Sequence, residues 1–501
     1  MPLRIRGARR LWAAYEPRSL SFMNARFLIF ALLVTGLALT CFGRAESALI
    51  DVQAKASPRS DWTNYPTRTL ACLPASATNH TDSELSPYGG LLARTVKATG
   101  FFYAARFGDR WWLVDPQGCL YIDKSVVAVS EMEGREAKAA LKEKFGSESN
   151  WIAGTTQLLQ SNGFNGLGAW SDTTRFRQAP HPLAYTRIWD FMSAYGRKRG
   201  GIYQESGHMG YPQDCIFVFD PEFEVFCDSH ARQLARDKDD PWLLGHFSDN
   251  EMPFKRDALR NYLQLPASDP GHKAALGWLQ ARHGQGAATK DITETDRVDF
   301  LALVADRYFG IVSKAIKKYD PNHLYLGSRF HGGELNYPEV FKAAGTYLDV
   351  VAVNYYRAWT PEREKLAMWS QASGRPILIT EWYVKAEDSG LPNNSGAGWI
   401  VKSQTDRGLF YQNFTLSLLE SKVCVGWHWF KYADNDPSLP NPEPSNRDSN
   451  KGIVTARYAP YGALLQGMKA VNERVYSLAD YFDHPQPARP VKPDGTAMIL
   501  K

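Results

Sequence analysis

Eight short apolar runs of strand length, separated by longer stretches that include helical periods, constrain this chain more than any other feature of its sequence. The runs span residues 125–129, 163–170, 185–191, 242–248, 323–329, 348–355, 376–381 and 423–429. They read as strands apolar on both faces and separated by helices, a pattern that belongs to a parallel sheet covered on both sides. Residues 295–319 carry Leu301, Val304, Tyr308, Ile311 and Ala315 at three- and four-residue spacing, with Thr293 or Thr295 as N-cap and Pro321 just beyond the end. Residues 150–159, 222–236, 361–372, 403–420 and 461–476 fill similar helical slots. The pattern predicts an α/β fold of the (β/α)8 barrel type with insertions. An open, doubly wound sheet is the alternative. The glycines 163, 166 and 168 have the wrong spacing for a dinucleotide fingerprint and lie in a strand.

Around this core the chain divides into four parts. Residues 1–45 hold seven of the 58 basic residues, all arginine, and one of the 53 acidic ones, which leaves 51 basic against 52 acidic in the remainder. The formal excess of +5 therefore belongs to the leader, and nucleic-acid binding loses its main support. Arg26, the apolar run 27–42 and the small residues around Gly43 follow the order of a secretory signal, with Met23 an alternative start and an uncleaved anchor the competing reading. Residues 46–100, rich in Ser, Thr, Pro and Ala, predict a short, poorly structured extension. Trp111-Trp112-Leu113-Val114 and Cys119-Leu120-Tyr121-Ile122 flank Asp115-Pro116-Gln117-Gly118, a hairpin signal. The barrel is expected over 101–480 and a tail over 481–501. Cys215 and Cys227 read as a bridge or as two buried thiols.

Chemistry in such a barrel sits at the carboxyl ends of the strands. The fourth run ends Ser248-Asp249-Asn250-Glu251 and the seventh Ile379-Thr380-Glu381-Trp382. Two glutamates converging from strands four and seven suit glycoside hydrolysis with retention, in which carboxyls about 5 Å apart act as nucleophile and acid/base. Asn250 is placed to reach the sugar hydroxyl beside the reacting carbon, and Tyr355 or Tyr356 to donate to Glu381. Trp170, Trp382 and Trp427 are candidate sugar platforms, because tryptophan offers a flat apolar surface. His331, with Arg329 close by, is a candidate substrate contact. No histidine pair has metal spacing, and Asp434-Asn435-Asp436 lacks the glycine and distal glutamate of a calcium loop, so neither metal nor cofactor is expected.

Asn250-Glu251, Glu381 and Trp427 together resemble the clan of retaining glycoside hydrolases built on this barrel. Longer stretches are more specific: 111–118, Phe219-Asp220-Pro221-Glu222-Phe223, GHFSDNE ending at Glu251, SGAGWIVKSQ from Ser395, and GWHWF from Gly426. Over about residues 101–480 they resemble β-agarases of glycoside hydrolase family fifty. The resemblance implies cleavage of β-1,4 bonds in agarose, a polysaccharide substrate, with Glu251 as acid/base and Glu381 as nucleophile; the leader places that activity outside the cytoplasm. The rival readings are an exo-β-galactosidase or β-mannanase of the same clan, and a barrel that binds carbohydrate without turnover.

Overall fold

The structure, a computed structural model, describes residues 49–484; the expected leader and most of the expected tail lie outside them. All eight apolar runs form strands: β1 (Asp123–Val126), β2 (Gly166–Leu167), β3 (Ala184–Ile188), β4 (Leu243–Phe247), β5 (Leu324–Gly327), β6 (Val351–Asn354), β7 (Ile377–Glu381) and β8 (Cys424–Trp429). They pair in parallel in the order β5-β4-β3-β2-β1-β8-β7-β6. The seam between β5 and β6 closes through Phe330, whose N–H donates to Ala352 O at 2.9 Å and whose carbonyl accepts from Asn354 N–H at 2.8 Å. The sheet is thus a barrel and not an open doubly wound sheet.

Helices cover the outside. The longest, Glu294–Tyr319, starts at a capping box: Thr293 Oγ1 accepts from the Asp296 N–H at 3.2 Å, and Asp296 Oδ2 accepts from the Thr293 N–H at 2.8 Å. Its Leu301, Val304, Tyr308 and Ala315 are buried in the layer between helices and strands. Burying each large side chain contributes roughly 1.5–3 kcal/mol, an upper bound because the unfolded chain already hides part of that surface. The stretch 461–476 forms two helices, Gly462–Asn472 and Val475–Asp483, so the last helix runs into the expected tail.

The expectation of a poorly structured extension over 46–100 is corrected for its described part. Strand Ile50–Lys55 pairs antiparallel with Thr63–Thr67 and with Trp399–Val401, which in turn pairs with Val384–Ala386 just after β7. Arg68 N–H donates to Asn413 Oδ1 at 2.9 Å and Leu70 N–H to Gln412 Oε1 at 3.0 Å, on the helix Gln404–Glu420. Weak internal periodicity concealed this order because the partners come from the barrel. The expected hairpin is present, Arg110–Val114 against Cys119–Tyr121. Its Leu113 and Tyr121 join Leu244, Leu324, Val350 and Leu378 of the barrel strands in one apolar cluster, plugging one end of the barrel. Cys215 and Cys227 are separate buried thiols, both pushed up by burial.

Where strands approach closely, side-chain volume decides. A Cβ on Gly426 of β8 would lie 2.4 Å from the Asp123 carbonyl oxygen and 2.7 Å from its Cβ on β1. A Cβ on Gly277, exposed within the helix Pro270–His283, would meet nothing within 4 Å. Gly426→Ala is therefore expected to destabilise by about 1–3 kcal/mol and Gly277→Ala to stabilise by about 0.5–1 kcal/mol. Denaturant titration of the two variants beside the parent checks both signs.

Candidate active site

The six strands β1 to β6 are followed by backbone that residues other than glycine rarely adopt. Ala128, Trp170, Asp190, Glu251, Arg329 and Arg357 have φ of 54°, 59°, 56°, 50°, 56° and 66°. Left-handed backbone at a non-glycine residue typically costs about 1–3 kcal/mol and persists only where surrounding contacts hold it. Beside Glu251 that hold is Asp249, fully buried, which accepts from the N–H groups of Met192 (2.8 Å) and Ser193 (3.1 Å) and from Tyr308 OH (2.7 Å). This pins the end of β4 to the helices Phe191–Arg199 and Glu294–Tyr319. Asn250 and Glu251 thereby turn into a cleft of about 1020 Å³, which Glu381 also lines.

The two carboxyls have different surroundings. Glu381 Oε1 pairs with Arg329 Nη2 at 2.9 Å, and Glu381 Oε2 accepts from Tyr356 OH at 2.6 Å. Glu251 Oε1 accepts from Asn354 Nδ2 at 2.7 Å, and its Oε2 lies 3.7 Å from His208 Nδ1. Thr380 Oγ1 donates to Asn354 Oδ1 at 2.8 Å, fixing the Asn354 amide so that its N–H groups face Glu251 and Asn250. Arg329 also donates to Asn250 Oδ1 and to the Thr380 carbonyl, both at 2.9 Å, and its guanidinium lies 4.5 Å from the Trp170 ring centre.

Burial pushes the Glu381 carboxyl up, Arg329 opposes this, the Glu251 charge adds to it and Tyr356 opposes it, with a net rise to about 7. Two carboxyls facing one cleft lose their protons in coupled steps, and the later step brings a second negative charge into the buried site. The cation and phenol at Glu381 favour a negative charge on that carboxyl and oppose the rise that burial causes. Burial alone would lower His331, but its bond to Glu334 and the charges of Glu251 and Glu334 raise it to about 9. Burial and Lys431 push Lys451, also on the cleft, down to about 7.

Of the residues singled out in the sequence, Glu251, Glu381, Asn250, Tyr355, Tyr356, Trp170 and His331 line the cleft, with Arg329 fully buried beside Glu381. Between the two tyrosines it is Tyr356 that donates to Glu381; Tyr355 contributes its N–H to the Glu381 carbonyl at 2.8 Å, while its OH accepts from the Glu362 N–H. Trp382 and Trp427 are corrected. Trp427 is fully buried and its indole donates to Tyr411 OH at 2.7 Å, on the helix outside β8. Trp382 stacks on Phe414 of the same helix, centroids 4.2 Å apart at 9°. Both face the helix layer, leaving Trp170, 40% exposed, as the aromatic platform among the three.

His208, Asn354, Tyr383 and Lys451 also line the cleft and were not anticipated. Asn354 is the last residue of β6 and was readable by the strand-end rule applied to Glu251. His208 sits in a ribbon of two-residue strands, Tyr203–Gln204 and Met209–Gly210, with no periodic signal. The SGAGWIVKSQ stretch forms part of the cleft wall, where a Cβ on Gly396 (φ 74°) would fall 2.6 Å from Tyr383 OH and 2.7 Å from Lys451 Nζ. Asp434 and Asp436 serve loops and a helix start: Asp434 accepts from the N–H groups of Lys451 and Gly452, and Asp436 from that of Ala137.

A (β/α)8 barrel with one buried glutamate from the end of β4 and another from the end of β7, sharing a long cleft, defines a glycoside hydrolase. Comparison with known proteins agrees. The crystal structure of BpGH50 is 30% identical and superposes with a TM-score of 0.77 over 87% of this chain and 96% of that one. The structure of PfGH50B is 25% identical with a TM-score of 0.67, covering 81% and 70%. Beta-agarase B of Vibrio sp. (strain JT0107) is 26% identical over 489 residues, covering 78% of this chain and 50% of that protein. Beta-agarase A of the same strain is 28% identical over 380 residues, 66% of this chain and 36% of that protein. The chain thus spans half the length of the first of these agarases and less of the second. No protein-family model matches the sequence. The chain belongs to glycoside hydrolase family fifty.

Without Arg329 the negative form of Glu381 loses its cation. Arg329→Met is expected to move the Glu381 titration above about 7, read from carboxyl ¹³C shifts in glutamate-labelled protein. An unchanged midpoint would contradict the assigned ion pair.

Proposed function

We propose that this chain is a retaining β-agarase, hydrolysing β-1,4 bonds of agarose or its oligosaccharides with Glu381 as nucleophile and Glu251 as acid/base. The observation that carries the reading is the unequal donor set: a buried guanidinium and a phenol bond to Glu381, whereas the hydrogen-bond donor to Glu251 is an amide, with His208 3.7 Å away. A carboxylate bonded to a fixed cation suits the group that must attack, and one bonded to an amide suits the group that must hold a proton. The similarity to two Vibrio proteins named beta-agarase supports agarose as the substrate.

In this mechanism an agarose unit lies across Trp170, and Asn250 contacts the hydroxyl beside the anomeric carbon. Glu381 attacks that carbon as Glu251 passes its proton to the departing glycosidic oxygen. A glycosyl ester forms on Glu381 and the glycosidic bond breaks. Glu251, now ionised, takes a proton from water, whose oxygen attacks the same carbon and frees Glu381. Two displacements retain the configuration. Tyr356 and Arg329 release their hold on Glu381 Oε2 and Oε1 as the ester forms and restore it on hydrolysis. The chain works outside the cytoplasm on a polysaccharide; no helix among the described residues is long and apolar enough to cross a membrane.

Glu381→Gln is expected to lower kcat/KM on agarose at least about a thousandfold, some 4 kcal/mol of transition-state stabilisation, and Glu251→Gln by about 10²–10⁴-fold. Proton NMR of the first products should give the β-anomer; an α-anomer would exclude retention. Reducing ends from β-mannan or from terminal β-galactosides, with none from agarose, would move the enzyme to another substrate, and sugar binding without turnover on any of them would make it a binding barrel.

The working form carries one negative charge on the pair. Burial raises Glu381 to about 7, and the attacking carboxyl must be ionised, so kcat/KM should rise as the pH climbs through about 7. With an aryl glycoside whose leaving group needs no proton, Glu251→Gln should keep that acid limb and move it to lower pH, because the Glu251 charge that helps to raise Glu381 is gone. A wild-type rate that is flat or falling as the pH rises through about 7 would contradict the assignment.

A further inference from the structure

We propose that His208, Glu251 and His331 form a binding site for a divalent transition-metal ion of the zinc type, and that an ion held there inhibits the enzyme reversibly by occupying the Glu251 carboxylate. The inhibitory part rests on the reading of Glu251 as acid/base; the binding part does not.

The three residues offer ligand atoms all within 4.8 Å of one another, and the two imidazole centroids are 5.1 Å apart. His331 is held by a carboxylate outside the cluster, and a second outside carboxylate stands beside His208. His331 Nδ1 bonds to Glu334 Oε1 at 3.0 Å, and His208 Nε2 lies 3.3 Å from Glu205 Oε2. A carboxylate acceptor keeps the proton on the nitrogen it faces and leaves the lone pair on the other, the arrangement that orients metal-binding histidines. The atoms left facing the cluster are Nε2 of His331, whose proton a binding ion displaces, and Nδ1 of His208, which already stands 3.7 Å from Glu251 Oε2. Ligands at about 2.0–2.1 Å around a tetrahedral ion stand about 3.3 Å apart, so the cluster closes by about 1.5 Å at its widest. His208, the more exposed of the two histidines, supplies that movement by side-chain rotation. Two imidazoles with one carboxylate match zinc, whereas calcium and magnesium require sets of oxygen ligands.

The second such cluster among the described residues has no room for an ion. His246 Nε2 and His323 Nδ1 both bond to Asp320 Oδ2, at 2.8 and 2.7 Å. Their other ring nitrogens are engaged by Trp189 Nε1 and by the Asp240 carbonyl. That group is a fully buried structural knot with every ring nitrogen in use.

Titration of the full chain with Co²⁺, followed by visible absorption, tests the site directly. One ion per chain is expected, displaced by Zn²⁺, in the parent and equally in Glu381→Gln. His208→Ala and His331→Ala should each weaken binding at least about tenfold, and Glu205→Gln, which changes only the orienting carboxylate, about 10–100-fold. Zn²⁺ should inhibit agarose hydrolysis over the range in which it displaces Co²⁺, with EDTA restoring the rate. No saturable Co²⁺ spectrum, or binding unchanged in both histidine variants and in Glu205→Gln, would overturn the proposal. Absence of turnover on every glycan would overturn the hydrolase reading and leave the Co²⁺ result intact.

Discussion

The site depends on one buried cation. Arg329 has no exposed surface, and a guanidinium out of water is tolerated where its charge is paired, here by Glu381. Its partners come from two strand ends, Asn250 after β4 and Thr380 and Glu381 in β7, and Arg329 itself lies just past β5. Trp170, after β2, covers it. Removing any partner would leave a buried charge exposed to low dielectric, so the four strand ends are held in one geometry. The same contacts give the two carboxyls different surroundings. Glu381 lies against the cation, and Glu251 is separated from it by the Asn250 and Asn354 amides.

Six consecutive strand ends in left-handed backbone follow from this demand. Side chains at the mouth must leave the strand alternation, which would send them by turns into the packed interior and the helix layer. A left-handed residue re-aims the chain in a single step, and the networks at Asp249 and Arg329 hold it there. Trp170 and Arg329 are bulky residues for such backbone, and they are stacked on each other, so each restrains the other. The glycines of GHFSDNE and GWHWF serve the barrel and not the chemistry: Gly245 and Gly426 lie where a Cβ would meet neighbouring backbone at 2.4 Å.

Much of this was legible in the amino-acid order. A strand that is apolar on both faces and helices of regular period are local signals, and all eight runs became barrel strands. Glu251 and Glu381 were legible because a charged residue ending a buried run has few places to go. Trp427 and Trp382 were misread for a physical reason. Alternation tells which residues share a face, and Trp427 and Trp429 do share one, but on a strand apolar on both sides it cannot tell inside from outside. The interior position belongs to His428, bonded to Asp123 Oδ2 at 2.7 Å. His208 was missed because its ribbon is brought to the cleft by tertiary structure alone.

The extension before the barrel links these points. Its first strand pairs with Trp399–Val401, and that segment pairs with Val384–Ala386, three residues beyond Glu381. The loop that carries Tyr383 and Gly396 into the cleft wall is therefore bounded on one side by β7 and on the other by the N-terminal strands. A segment with no core of its own thereby fixes the wall beside Glu381, through backbone pairing that side-chain periodicity does not record. The (β/α)8 repeat thus places the two carboxyls, while parts of the chain outside the repeat, this strand pair and the His208 ribbon, shape the cleft in which they act.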